Sequence, residues 1–162
     1  MDSGACFDST GVYRYRLWRE WDVSKPSVTF VMLNPSTAGA KDDDPTIRRC
    51  LSFARSWGFG RLEVVNLCAY RATCPKALLA ADEPVGRDNG VHIRAAVENA
   101  SLVVAAWGNH GRNLARPAFG RPVYNLGLTK LAQPRHPLYV LGSTRPMGWS
   151  AAKPDDRRPE TS

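Results

Sequence analysis

What the chain lacks bounds it first. None of its four cysteines, Cys6, Cys50, Cys68 and Cys74, stands in a Cys-x-x-Cys pair, so a zinc or iron–sulfur site has little support. Free thiols in a reducing compartment are the expected state. No stretch approaches the roughly 20 apolar residues of a membrane span. The opening MDSGACFDST is acidic and has no apolar core, so it does not read as a signal peptide. The expected location is therefore cytoplasmic, with no membrane partner. No internal repeat and no long linker interrupts the 162 residues, a length that suits one domain with its own core. That domain is expected over 1–150. The polar, proline-rich end, 151–162, is expected to be disordered. Lysine is scarce and arginine abundant in a chain of net charge +7. Arginine forks match phosphate oxygens and stack on bases, which points to an anionic partner such as nucleic acid. Arginines that bind nothing anionic explain the same composition.

The hydrophobic pattern that is present alternates between two periods. VYRYRLWREW (12–21) reads as a strand with Tyr13, Tyr15 and Leu17 on one face. Its interleaved cations and aromatics also fit a stacking, phosphate-binding surface. SVTFVML (27–33) is nearly continuous apolar, so it reads as a central strand buried on both faces. DPTIRRCLSFARSWGFG reads as a helix, with Asp44 as N-cap, Pro45 at the first helical position and Gly58 as the stop. Ile47, Leu51 and Phe53 or Ala54 supply its buried stripe. RLEVVNLCAY (61–70), SLVVAAWG (101–108) and PVYNLGLT (122–129) read as further strands, and DNGVHIRAAVENA (88–100) as a second helix. RATCPKALLAADEPVG reads as a loop with one helical turn, and NHGRNLARPAF as a short helix broken at Pro117.

Strands alternating with helices predict an α/β three-layer sandwich around a central, mostly parallel sheet of four to five strands. In such sheets ligands bind at the carboxyl ends of the strands. That rule selects Asn34-Pro35, Asn66, the run Trp107-Gly108-Asn109-His110 and the His136-Pro137 loop.

The order LNPS, VVNL, VVAAWGNHG, RHPL resembles the uracil-DNA glycosylase superfamily, from about Val28 to Val140. The mismatch-specific branch, with its asparagine at the first strand end, is the most similar. The whole sequence also resembles a small group of uncharacterised bacterial and phage proteins marked by LNPSTA and HPLY. The glycosylase resemblance implies a glycosylase-like fold, DNA repair, DNA as partner, a monomer and no cofactor. It places Asn34 where a residue positions water, Asn66 where an amide reads the base, and His136 where a histidine donates to the leaving base. Pro35 and Ser36 fall in the loop that approaches the base, and Trp107, Asn109 and His110 beside the site. The mismatch-specific enzymes carry an aromatic after Asn-Pro that stacks on the base. Between Pro35 and Pro45 this chain has none, which leaves Phe53 or Tyr70 for stacking. Arg48, Arg49 and Arg135 are candidates for DNA phosphate. The HPLYVLG loop offers Leu138 and Tyr139 as wedges into DNA.

Elementary chemistry asks for the same set. Breaking an N-glycosidic bond produces an oxocarbenium-like sugar and an anionic base. A site needs a group that orients water and a donor for the base, and the base must leave its stack. An amide orients water but is a poor base, so Asn34 predicts slow hydrolysis. An amide at Asn66 both donates and accepts, as a base edge requires. Asp42-Asp43-Asp44 reads first as capping and dipole compensation for the helix, and second as a Mg²⁺ site. Two other function classes fit the same residues: a non-catalytic binder of nucleic acid or nucleotide, and an enzyme that modifies a nucleobase.

Overall fold

The computed structural model describes residues 1–149. Among them seven strands form one sheet: β1 (Asp2–Phe7), β2 (Arg14–Glu20), β3 (Ser27–Met32), β4 (Arg61–Asn66), β5 (Leu102–Ala105), β6 (Val123–Asn125) and β7 (Met147–Trp149). Their spatial order is β1-β2-β4-β3-β5-β6-β7. The central four, β4, β3, β5 and β6, run parallel, with Val28 opposite both Leu62 and Leu102. The two outer ribbons, β1-β2-β4 and β6-β7, are antiparallel. Three α-helices accompany the sheet among the described residues: α1 (Pro45–Ser56), α2 (Pro75–Ala80) and α3 (Asn89–Asn99). None is long and apolar enough to cross a membrane.

Alternation along the central strands splits the core in two. Val28, Phe30, Met32, Val64 and Val104 pack against Ile47, Cys50, Leu51 and Phe53 of α1. Val31, Val65, Val103 and Ala105 pack against Ile93, Ala96 and Val97 of α3. A period-2 strand with both faces covered is apolar on both, which is why these strands read as nearly continuous apolar runs, interrupted by buried Thr29 and Glu63.

The α/β class follows from the sequence, but the sheet is larger than four to five strands. Only three of its six pairings are parallel. The added edges, β1 and β7, carry no alternating apolar signal and are held by backbone pairing. β6 is shorter than the strand expected over 122–129. The Asn125 side chain accepts from the Gly127 N–H at 2.8 Å, and Gly127 adopts φ 107°, which turns the chain out of the sheet. The helix expected within NHGRNLARPAF is a single 3₁₀ turn, Asn109–Gly111. Helix α1 matches its sequence signals. The Asp44 carboxylate accepts from Ile47 N–H at 2.9 Å, Pro45 opens the helix, and Gly58 at φ 87° follows its end.

The β2 face assignment is corrected. A register shift in the β1–β2 pairing at Cys6/Phe7 lies opposite Arg14–Arg16. A bulge puts two residues opposite one and breaks strict alternation. Leu17 therefore joins the α1 side of the core, whereas the Tyr15 ring stacks on His92 of α3 at 4.8 Å. The disorder expected over 151–162 falls outside the described residues.

Candidate functional site

The carboxyl ends of β3, β4 and β5 open into a cleft of about 760 Å³. Its walls bring together Asn34, Ser36, Asn66, Trp107, Asn109, His110, Arg135, His136, Leu138 and Tyr139. These residues are spread over a hundred positions of sequence, and the sheet topology gathers them. A volume of this order suits a small organic ligand.

The loop after β3 is fixed from behind. Asn34 Nδ2 donates to the carbonyls of Pro35 at 3.0 Å and Ala72 at 2.8 Å. With both hydrogens used, Oδ1 is the free end of the amide. Three arginines then hold successive carbonyls of the same loop. Arg71 donates to Ser36 O, Arg14 to Ala38 O, and Arg19 to the carbonyls of Gly39, Ala40 and Asp42. Asp44 closes the loop by accepting from Ala38 N–H at 3.3 Å as well as capping α1. Asp43 pairs with Arg19 at 3.0 Å. The aspartate run is thus spent on the loop and the helix. Among the described residues no cluster of three or more His, Cys, Asp or Glu is placed to hold a metal.

Asn66, at the end of β4, is different. It is 1% exposed and lines the cleft. Neither its Nδ2 nor its Oδ1 has a hydrogen-bond partner. A buried amide left unpaired costs about 1–3 kcal/mol per group, and most buried polar groups are satisfied. Such an amide suits a ligand that offers one donor and one acceptor side by side.

His136 caps the 3₁₀ turn Pro137–Tyr139, its Nδ1 accepting from the Leu138 N–H at 3.2 Å. In the neutral ring the proton is then on Nε2, which makes Nε2–H the available donor. Burial pulls its pKa below the ordinary 6.5, and the Asp44 carboxylate only partly opposes this. A sign follows for stability. As pH falls below 6.5 the unfolded chain takes the proton first, so stability is lost on acidification and retained above 6.5. His92, also held low by burial, acts in the same direction. An NMR titration of His136 is expected to give a midpoint below 6.5. A midpoint above 6.5 would show that the pull of Asp44 outweighs burial.

Some expected residues do not reach the site. Phe53 is buried in the core under α1, where helical periodicity puts it. Tyr70 packs edge-on against Tyr13 at 5.9 Å and lies outside the cleft wall. Pro35 is buried, and its carbonyl serves Ala72 N–H and the Asn34 side chain. Arg49 is not free for phosphate: it donates to the carbonyls of Pro137 and Val140, tying α1 to the His136 loop. Arg48 is exposed on α1 and bonds Asp43 O. The aromatic side chains in the wall are instead Trp107 and the exposed Tyr139, joined by the rings of His110 and His136.

The wall also holds a residue that alternation hid. Arg14 is 2% exposed, yet the bulge turns it to the α1 face and into the cleft. Its Nε has no partner. Burial lowers its pKa to about 10, against the pull of Asp44, so it stays charged at neutral pH.

The span from Arg14 to Leu138, which carries every cleft residue named above but Tyr139, matches one family, described as a protein of unknown function (DUF1643). The chain belongs to the DUF1643 family. No curated protein and no solved structure gives a significant match.

Proposed function

We propose that the cleft takes an extruded nucleobase of DNA and hydrolyses its N-glycosidic bond, on a glycosylase-like three-layer scaffold. The observation that carries the reading is Asn66, a buried amide with both ends unpaired in the wall of the cleft. A base edge presents a carbonyl beside a ring N–H, which is the complement of an amide. Asn34 Oδ1, the free end of its fixed amide, accepts a hydrogen bond from water and orients it. The C1′–N bond breaks with its electron pair leaving on the base. The Nε2–H of neutral His136 donates to the base as negative charge develops. The water oxygen bonds C1′ and releases its proton to solvent. Arg135, Leu138 and Tyr139, exposed at the rim, supply the surface that meets the DNA strand.

Labelled oligonucleotides carrying uracil, U·G, T·G, hypoxanthine or hydroxymethyluracil test the reading. The expected result is an alkali-labile site that disappears with Asn34→Ala and with His136→Ala. Salt-sensitive retention without cleavage would instead support the non-catalytic binder, and alteration of the base without strand scission the modifying enzyme. Neither retention nor chemistry would remove DNA as the partner.

A further inference from the structure

Two polar side chains of the cleft wall carry buried atoms without partners, and together they specify more than either alone. Asn66 ends β4, two residues after Val64, which belongs to the α1 side of the sheet. Arg14 begins β2, the neighbour of β4. Its N–H bonds Ala69 O just beyond β4, and its NH1 bonds Ala38 O on that same α1 side. Both residues are at least nine-tenths buried and both line the cleft.

Arg19, on the same strand and equally buried, shows what a saturated guanidinium looks like. Its Nε, NH1 and NH2 all donate to protein oxygens. Arg14 makes one hydrogen bond through NH1 and leaves Nε–H unpaired. Asp44 favours its charge at a distance, but among the described residues no hydrogen bond or ion pair joins the two; the Asp44 oxygens accept from the Ala38 and Ile47 N–H groups. What the Arg14 edge lacks is acceptors rather than merely a counter-charge. The side-on edge of a guanidinium, Nε–H with a terminal N–H, is a fork for two adjacent acceptors.

We propose that the cleft is built for a 6-oxopurine, with Asn66 reading O6 and N1–H and the Arg14 fork reading O6 and N7. This rests on the reading of the cleft as a nucleobase site and names the base. A pyrimidine satisfies Asn66 through its carbonyl and N3–H. Beside that edge it offers Arg14 a carbon at position 5, and the buried Nε–H stays unpaired. A 6-oxopurine offers N7 there, and an arginine bidentate to O6 and N7 is the commonest specific contact between a side chain and a base. Adenine presents a donor in place of O6 and is rejected by the same fork.

Binding of three small probes to the full chain, measured by calorimetry at pH 7.5, tests this. They are 9-methylhypoxanthine, its 7-deaza analogue and 1-methyluracil. Methylation fixes the tautomer and leaves no glycosidic bond to cleave. The 7-deaza compound keeps the edge read by Asn66 and loses only the N7 acceptor. The expected result is that 9-methylhypoxanthine binds about tenfold or more tightly than either of the others, the usual worth of a bidentate base contact. Arg14→Met, of similar length with no donor, should reduce that ratio to near one; circular dichroism would confirm that the variant is folded. Equal binding of the purine and its 7-deaza analogue would overturn the assignment while leaving a base site. Tighter binding of 1-methyluracil would make it a pyrimidine site and overturn it too. If no probe binds, both this assignment and the nucleobase reading fall.

Discussion

Replacing Asn66 with leucine is expected to raise the melting temperature while abolishing base binding. Both polar atoms of the amide are buried without partners, so the folded chain carries their desolvation cost with no return. An apolar side chain of similar shape removes that cost, about 1–3 kcal/mol. For a domain of this size each 1 kcal/mol moves the melting temperature by roughly 2–4 °C. The cleft beside Asn66 gives the added methyl groups room, so overpacking is small. Asn89 is the control. It is equally buried and its Oδ1 is likewise unpaired, but its Nδ2 donates to the carbonyls of Asn66 and Leu67 at 2.8 and 3.2 Å. Asn89→Leu strands those carbonyls and should lower the melting temperature. Opposite signs from two buried asparagines would separate an amide kept for a ligand from one kept for the fold. If Asn66→Leu melts lower than the natural chain, the amide is structural and the base-reading role fails.

That contrast also shows how much of the site was legible. Asn34, Asn66 and Trp107 reach the cleft because a parallel strand ends where its apolar run ends, and a polar residue there has one place to go; His136 lies well past the end of β6 and was singled out by its His-Pro loop. Helix α1 was found because Asp44 and Pro45 are local signals with a local mechanism. Phe53 and Arg49 were misplaced for the opposite reason. Whether a residue of a helix faces the core, a loop carbonyl or a ligand depends on what packs against it, and composition does not record that. Arg14 was hidden by the β-bulge, because one added residue exchanges the two faces of a strand. The parts of the cleft wall at Ala72–Cys74 and Thr129–Lys130 come from loops with no period to read. The arginine excess was readable as charge but not as use. Arg14, Arg19, Arg49 and Arg71 donate to backbone carbonyls around the cleft, so these four cations build the site rather than meet a polyanion.

Arg19→Met is expected to be the most destabilising single change in this arginine set. The side chain is 1% exposed. Nε donates to Asp43 Oδ1 at 3.0 Å, NH1 to Trp18 O at 2.8 Å and Ala40 O at 3.0 Å, and NH2 to Gly39 O at 2.7 Å. Methionine fills the same length with no donor, so the Asp43 carboxylate and the half-buried carbonyls lose their partner together. Breaking a buried ionic network by removing one member costs about 3–5 kcal/mol. Lysine should recover little of it, since one ammonium has three donors and no planar fork to span the loop. Arg48→Ala, which removes an exposed arginine with one bond to Asp43 O, is the reference and should stay within about 0.5 kcal/mol. Denaturant unfolding measures all three, and limited proteolysis of Arg19→Met should cut first within residues 39–43. The consequence reaches function through the backbone. The same loop carries Asn34 at one end and Asp44 at the other, so a loosened loop misplaces the water-orienting amide and the carboxylate nearest Arg14 at once. If Arg19→Met loses less than about 1 kcal/mol, the loop is held by Asp44 and the turn alone, and the arginine clasp is not what shapes the cleft.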